Sequence, residues 1–384
     1  GQFGTRLQGG SDSASERYIH TNLNKITRLI FPEADDNVLK YLDDDGTPVE
    51  PIYYVPIIPM ILVNGSKGIG TGFSTDIMCH NPLDLIQYIK CVLQNTELPT
   101  LNPYYEGFKG TIERIDDKKW LIKGCYEIIN DKKIRVTELP IGIWTDDYKK
   151  YIEDLIDGGD KKKSKKDIYV KDYTDMSTDV TVDITITFNE GKINELRMKQ
   201  TDYNCNGLEK LLKLYVTKST NNMHMFDENE KLKKYDNITD IIDHYISVRR
   251  DVYIERKQYQ LNVLKEEANL LSNKARFINE ILNDEIDLRR KTKEKVIEIL
   301  TSKKYDKLEN DEEYKYLVRL PMDSVTEENY MKLIKEKDNK MMELNILGKK
   351  DIKSIWLEEL DYLQSTYEIY KKGKSKKKLK ITKK

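Results

Sequence analysis

A stretch of 63 residues without proline or glycine, residues 238–300, constrains the fold of this chain more than any other feature. Apolar side chains recur in it at alternating spacings of three and four residues: Leu261, Leu264, Ala268, Leu271, Ala275, Ile278 and Leu282. This spacing is the heptad seam of a coiled coil, and one helix over the whole stretch would be about 90 Å long. Because a narrow seam needs a partner helix, we predict that residues 325–347 and 354–370 return antiparallel along it, with a compact tip before Pro321.

Acidic and basic residues balance: 66 Asp and Glu face 65 Lys and Arg, for a net charge of −1. No run of about 18 apolar residues is present, so we expect no membrane-spanning helix and no membrane partner. The balance excludes a uniformly basic protein that coats nucleic acid, but a sum over the chain conceals local charge. We predict a basic surface around Arg6 and Arg17 and acidic surfaces at residues 34–45 and 307–314.

The cysteines are scattered and form no CxxC pair: Cys79, Cys91, Cys125 and Cys205. Only Cys79 has a neighbouring histidine, His80, and a zinc site needs about four convergent ligands, so we predict no metal site. Unpaired thiols indicate a reducing compartment. The sequence begins at Gly1 inside a motif, and we therefore expect it to be a fragment of a longer protein.

Residues 76–235 alternate short apolar runs with turns, which predicts a mixed region of strands and helices. One segment is apolar at every other position: Val180, Val182, Ile184 and Ile186. This period indicates a half-buried strand. Five lysines within 161–166 predict a solvated loop, with a phosphate-contacting loop as the alternative. The lysine-rich residues 371–384 predict a disordered tail that serves as a DNA arm or a nuclear localisation signal.

The segment 1–21, GQFGTRLQGGSDSASERYIHT, carries four glycines in its first ten residues. Such a segment forms a loop, and a nest of amide N–H groups beside Arg6 and Arg17 suits a phosphate. Tyr18 directly follows Arg17, and an adjacent guanidinium stabilises the phenolate, the nucleophilic form of a group with a pKa of about 10. The alternative is that Tyr18 packs in a core and Arg17 lies on the surface.

The segment 61–75, ILVNGSKGIGTGFST, is a second glycine-rich stretch. Gly65 and Gly70 have the spacing of a phosphate-binding GxxxxGK[ST] loop, but Thr71 stands where the lysine belongs, so this interpretation fails. What remains is a turn with Ile69 at its tip. An apolar side chain between glycines suits a wedge that enters a DNA base step, and the alternative is that Ile69 fills the core of its own domain.

Together these two segments resemble the type IIA DNA topoisomerases, specifically their eukaryotic and viral topoisomerase II branch. The likeness continues in order through four further segments: 137–145, 226–242, 272–281 and 343–361. It therefore covers essentially the whole chain.

The resemblance implies an α+β fold in four parts. Residues 1–56 would be the end of a winged-helix domain that carries the tyrosine, and residues 57–235 a mixed α/β tower domain. Residues 236–370 would form a long antiparallel coiled coil with a small helical dimerisation domain, the exit gate, followed by the disordered tail.

The resemblance also implies a function: the C-terminal half of the DNA breakage–reunion core of an ATP-dependent type II topoisomerase. It implies Tyr18 as the nucleophile that forms a 5′-phosphotyrosyl link, and Arg17 as the residue that stabilises the scissile phosphate. The DNA contacts it implies are Arg6, Gln8, Asn64, Lys67 and Ile69. The implied partners are double-stranded DNA and a second copy of the chain, and the implied setting is DNA replication in a nucleus or at a viral replication site.

The resemblance implies Mg²⁺ and ATP as cofactors, with their ligands outside this chain, so we expect the 384-residue piece alone to be inactive. Ser11, Glu16, His20 and Phe73 depart from the family pattern, which has a lysine, a proline, an aromatic residue and often a tryptophan there. The first two weaken local phosphate attraction, and we expect His20 to have a packing role.

Two alternatives stay open: an inactive DNA-binding coiled-coil scaffold or topoisomerase paralogue, and a nuclease that hydrolyses DNA. A covalent adduct with the 5′ end of DNA distinguishes a topoisomerase from both.

Overall fold

The computed structural model describes residues 3–157, 169–308, 311 and 313–381. The predicted lysine loop at 161–166 lies outside these residues. Among the described helices, none is long and apolar enough to cross a bilayer.

The chain divides into two compact units, each built from two separate segments. Unit 1 comprises Gly1–Thr27 and Ile58–Tyr245, and unit 2 comprises Arg28–Ile57 and Ile246–Lys384. The segment 1–56, expected to form one domain, is therefore shared between the two units.

The described α-helices range from one turn to 45 residues. In chain order they are α1 (Thr27–Ile30), α2 (Met60–Asn64), α3 (Pro82–Gln94), α4 (Thr145–Ile156), α5 (Lys192–Met198), α6 (Gly207–Leu211), α7 (Ile238–Leu282), α8 (Lys293–Ser302), α9 (Lys315–Val318), α10 (Glu327–Lys349) and α11 (Ile352–Ile381).

The described strands pair antiparallel throughout. In chain order they are β1 (Tyr41–Asp44), β2 (Thr47–Pro51), β3 (Ser66–Ile69), β4 (Ser74–Ile77), β5 (Thr111–Asp116), β6 (Lys119–Lys123), β7 (Cys125–Asn130), β8 (Lys133–Glu138), β9 (Val170–Asp175), β10 (Ile184–Phe188), β11 (Tyr215–Ser219), β12 (Met223–Phe226) and β13 (Leu232–Tyr235). They form sheets β7-β8-β10-β9 and β11-β6-β5 and the hairpins β1-β2, β3-β4 and β12-β13.

The main core of unit 1 lies against the four-stranded sheet. Alternate residues of β10, from Ile184 to Phe188, are buried, as are Ile134 and Val136 of β8. Helix α4 adds Tyr148 and Ile152, which are one turn apart on its inner face. The sheet thus buries one face of each strand against helices, as expected of an α+β fold.

The strand predicted from Val180 begins later than expected, at Ile184. Val182 is buried, but Val180 is 64% exposed. The Thr178 N–H donates to the carbonyl of Thr181 at 2.9 Å, and the two threonine hydroxyls lie 2.7 Å apart. This local turn competes with the strand and delays its start until Ile184.

Helix α7 is shorter than the predicted stretch, because it ends at Leu282 and spans about 68 Å at 1.5 Å per residue. Asp284 has a left-handed φ of 57°, a conformation that aspartate tolerates. The N–H groups of Glu285 and Ile286 then bond back to the carbonyl of Glu280. A helix stop without glycine or proline is not visible in the sequence.

Helices α7 and α10 run antiparallel within unit 2. The Lys257 ammonium donates to the carbonyls of Gly348 (3.1 Å) and Lys350 (2.7 Å), while Lys340 pairs with Glu267 at 2.9 Å. Of the predicted seam, Ala268, Ala275 and Ile278 are buried, Leu261, Leu264 and Leu271 are partly buried, and Leu282 is 43% exposed.

A small helical core follows the end of α7. It gathers aromatic and aliphatic side chains from α7 to α9: Phe277, Ile286, Val296, Leu300, Tyr305, Tyr314 and Leu317. The predicted compact tip before Pro321 corresponds to this cluster.

A buried charged cluster, the Asp35 cluster, joins both segments of unit 2. Arg249 donates to Asp35 at 2.6 Å and to the Val55 carbonyl at 2.7 Å. Arg256 bridges Asp35 (3.1 Å) and Glu359 (2.6 Å). Both guanidinium groups lie over the ring of Tyr253, at 4.0 and 4.6 Å. The cluster ties residues 28–57 to the base of α7.

Helix α11 is assigned as far as Ile381 and so enters residues 371–384, the segment for which the sequence predicts a disordered tail. Lysine is a good helix former, and no proline follows to stop the helix. Residues 382–384 lie outside the described part of the chain.

Candidate nucleic-acid interface

Tyr18 lies on the surface of unit 1, at the end of a short 3₁₀ turn, Glu16–Tyr18. Its side chain is 66% exposed, which excludes the core-packing alternative. The Arg17 guanidinium lies 5.1 Å from the centre of the Tyr18 ring, within cation–π range. His20 is exposed as well, so the packing role expected for it is wrong. A phenol and a cation are thus presented together to solvent.

Several amides of the glycine-rich loop before Tyr18, for which an anion nest is predicted, have hydrogen-bond partners within the protein. The Thr5 N–H and hydroxyl donate to Asp12 at 2.8 and 2.5 Å, and these bonds lower the pKa of that carboxyl. The Arg6 N–H donates to the Asp179 carbonyl and the Gly10 N–H to the Thr5 carbonyl. These amides therefore close the loop and are not available to a phosphate.

The glycines of this loop allow close packing. Gly9 has a φ of +63°, and a Cβ there would lie 2.2 Å from the ring of Trp144. The same loop is also held at Leu7, whose carbonyl accepts a hydrogen bond from the Asp146 N–H at 3.0 Å. The loop is thereby anchored at the start of helix α4.

Arg6 and Gln8, both predicted DNA contacts, hold this anchor. Arg6 pairs with Glu138, whose side chain is 4% exposed and also accepts the backbone N–H of Lys109. Gln8 donates to Asp146 at 3.2 Å. Arg6 is bound to the buried carboxylate of Glu138 and Gln8 to the partly exposed carboxylate of Asp146, so the geometry does not support either as a phosphate contact.

A polar groove beside Gln8 is acidic, although it lies near Arg6, around which the sequence predicts a basic surface. Carboxylates outnumber the lysines that line it: Asp146, Asp147, Glu153 and Asp175 against Lys149 and Lys150. Lys149 is neutralised by Asp146 (2.8 Å) and Asp175 (3.2 Å). DNA phosphates are repelled from such a surface.

Ile69 lies at the tip of the β3–β4 hairpin and is 94% exposed. Its backbone is closed by the Gly70 N–H, which donates to the Phe73 carbonyl at 2.8 Å. The alternative that Ile69 fills its own core is wrong. Full burial of an isoleucine is favourable by about 1.5–3 kcal/mol, so this side chain has a large gain available from insertion into an apolar site.

Asn64 lies just before the same hairpin and Lys67 lies in its first strand, and both are exposed. Asn64 ends helix α2, and Lys67 pairs in register with Asp76 across the hairpin. The Asp76 carboxylate accepts a hydrogen bond from Lys218 at 3.4 Å. Of the predicted contacts, the hairpin therefore brings Asn64, Lys67 and Ile69 together.

Sequence reasoning missed an aromatic group, the brace, formed by Phe73, His224 and Phe226. The Phe73 ring contacts Phe226 edge to face at 6.3 Å and His224 at 6.2 Å. His224 lies 150 positions from the hairpin strand that it contacts, so its role has no local pattern. The one local indication of this aromatic group in the sequence is Phe73, an aromatic residue between a glycine-rich turn and a strand.

The described residues offer no group of three or more His, Cys, Asp or Glu side chains arranged to hold a metal ion. The side chains in the described part of the chain therefore do not fit a Mg²⁺ site.

The chain matches a known protein family. The family model that describes the A subunits of DNA gyrase and topoisomerase IV matches residues 1–361, and the chain belongs to this family. The resemblance found in the sequence is confirmed.

Individual relatives sharpen the assignment to the topoisomerase II branch. The chain is 36% identical to DNA topoisomerase 2 top-2 of Caenorhabditis elegans, over 94% of this chain and 26% of that protein. It is 35% identical to DNA topoisomerase 2 of Acanthamoeba polyphaga mimivirus, over 96% and 33%. The chain thus spans about a quarter to a third of these relatives.

A solved structure shows the same fold. The Plasmodium falciparum topoisomerase II DNA-binding, cleavage and re-ligation domain superimposes with a TM-score of 0.84 and 34% identity, over 98% of this chain and 53% of that one. The inactive-scaffold alternative is not favoured by these relatives.

Proposed function

We propose that this chain is part of a type II topoisomerase that breaks and rejoins duplex DNA, with Tyr18 as its nucleophile. The observation that carries the proposal is the exposed Tyr18 phenol under the Arg17 guanidinium, 5.1 Å from the ring centre. In the forward step the phenol loses its proton and its oxygen bonds to a backbone phosphorus. The bond from phosphorus to the 3′ oxygen breaks, and that oxygen takes up a proton.

The product is a 5′-phosphotyrosyl link, and attack by the 3′ hydroxyl reverses the step. Because one phosphate ester replaces another, no bond energy is lost and the break is rejoined without a further energy source. Arg17 stabilises the charge on the phosphate as it is transferred.

Ile69 serves in this proposal as a wedge in the DNA that is to be cut. Insertion between base pairs buries a side chain that is otherwise 94% exposed and kinks the duplex. Lys67 and Asn64 flank the wedge and would contact the DNA backbone. Arg6 and Gln8 hold the Tyr18 loop and act on DNA only through it.

The proposal also gives each part of the chain a role. The tyrosine loop would end a winged-helix domain, the sheets of unit 1 would form the tower, and the antiparallel α7 and α10 with the helical core would form a coiled coil and exit gate. Two copies would pair there, so that each Tyr18 cuts one strand. The protein would act on double-stranded DNA in a nucleus or at a viral replication site.

Mg²⁺ and ATP would be supplied by residues outside this chain. No step above is assigned to a metal or nucleotide held by the described residues, because their donor groups do not form such a site.

The nucleophile is tested by Tyr18→Phe in the full natural chain. We expect no protein trapped on the 5′ end of DNA after denaturation, while Tyr362→Phe, which alters a tyrosine of similar exposure (62% against 66%), keeps the adduct. An adduct that persists in Tyr18→Phe contradicts the assignment. A broken strand with no adduct in the unmodified protein indicates a nuclease.

The wedge is tested by Ile69→Ala and by the control Met198→Ala, which truncates another exposed side chain of unit 1 (87%). DNA bending measured by FRET should fall in the first variant alone. Unchanged bending in Ile69→Ala rejects the wedge.

A further inference from the structure

The Ile69 hairpin is held along its outer edge by the chain at β12. The carbonyl of Asn222 accepts the Asp76 N–H at 2.7 Å. Two residues further on, the His224 ring nitrogen Nδ1 lies 2.9 Å from the Ser74 carbonyl oxygen. Two residues beyond that, Phe226 contacts Phe73 edge to face. The contacts recur with the period of a strand, so β12 follows β4 toward the hairpin tip.

The histidine contact is made at the residue opposite the wedge, because Ser74 pairs with Ile69 across the hairpin. The bond from the Gly70 N–H to the Phe73 carbonyl makes 70–73 a hydrogen-bonded pair, and the next pair, 69–74, is then a non-hydrogen-bonded one. The Ser74 carbonyl thus points out of the ladder. Since a carbonyl only accepts, His224 donates from Nδ1.

The ring of Phe73 covers the backbone at the tip. A Cβ on Gly70 would lie 2.6 Å from its Cζ atom, so the ring packs directly on the glycine that follows Ile69. Phe73 also meets Phe226 with ring planes at 89°. Phe73 therefore contacts both the turn and β12.

We propose that His224 and Phe226 are positioning residues that hold Ile69 ready for insertion into bent duplex DNA. This inference rests on the proposed wedge. A two-stranded hairpin is only marginally stable by itself, and a side chain that is 94% exposed has little of its own packing to fix it. With the brace in place the hairpin is ordered before DNA arrives, so binding does not have to order it.

The test measures DNA bending by FRET with the full natural chain at a concentration that saturates the DNA. His224→Ala and Phe226→Ala should each lower the ratio of bent to unbent DNA by about threefold to tenfold. His224→Gln, whose amide still donates, and Phe226→Tyr, which keeps the ring, should restore it. Met198→Ala is the control for loss of an exposed side chain of unit 1.

A general loss of stability is separated from positioning by repeating the brace variants in an Ile69→Ala background. If the brace acts through the wedge, His224→Ala produces no additional loss there. An equal loss in both backgrounds, or normal bending in all brace variants while Ile69→Ala bends less, overturns the inference. If Ile69→Ala alone bends DNA normally, it is the wedge proposal that fails.

Discussion

The buried Asp35 cluster makes a strong prediction about unit 2. In Asp35→Asn the side chain keeps its size and loses its charge, while the guanidinium groups of Arg249 and Arg256, 0% and 5% exposed, stay buried. Arg256 keeps Glu359 at 2.6 Å, so the loss falls mainly on Arg249. Removing one partner of a buried pair costs about 3–5 kcal/mol, and for a unit of this size that lowers the unfolding midpoint by about 10 °C.

The assay is urea and thermal unfolding followed through Trp356, which is fully buried in unit 2 and donates to the Ile57 carbonyl at 3.1 Å. Replacing Trp120 and Trp144 with phenylalanine in all variants makes Trp356 the reporter of unit 2. The matched control is Asp36→Asn at the next residue, where the carboxylate pairs with Arg28 on the surface. A solvent-screened pair of that kind contributes little to stability.

Equal midpoints of urea and thermal unfolding for Asp35→Asn and Asp36→Asn would contradict this prediction.

Two further predictions concern unit 1. Burial lowers the pKa of His80 to about 4, below its ordinary value of about 6.5. The stabilisation by neutral His80 is therefore complete above pH 6.5 and is lost as the pH falls toward 4. Thermal unfolding measured at a series of pH values should show this decline in the unmodified chain and a flatter profile in His80→Gln. Arg6→Ala leaves the buried Glu138 carboxylate without its guanidinium and should destabilise unit 1 by about 3–5 kcal/mol, measured by denaturation. The affinity for DNA should be unchanged well below the melting temperature. Weaker DNA binding with normal stability would instead identify Arg6 as a phosphate contact.

Periodic features were predicted well because they depend on local sequence. The heptad spacing of Leu261 to Ile278 lies within helix α7, and Ile69, placed between glycines, is at a hairpin tip. Features set by distant residues were not visible. His224 contacts Ser74 from 150 residues away, and Arg6 finds Glu138 from 132 away. No local pattern indicates that a charged side chain has such a partner, so the sequence alone favours DNA as the partner of Arg6.

The end of α7 at Leu282 and the end of α11 at Ile381 could not be read from the sequence, for a related reason. The stop at Leu282 depends on a left-handed Asp284 and on the helical core that follows. A lysine-rich segment is compatible with both disorder and helix, since charge opposes packing while lysine favours helix formation.

The two-segment construction of unit 2 has a consequence for the order of events on the ribosome. Asp35 and Arg249 are separated by 214 positions, which corresponds to about 10–40 s of synthesis at 5–20 residues per second. During that interval the second segment of unit 1 is synthesised. Residues 28–57 are meanwhile already made, but Arg249 and Arg256, which pair with Asp35, are not. The hairpin side chains Tyr41 and Leu42, exposed even in the finished unit, are available to chaperones throughout this delay.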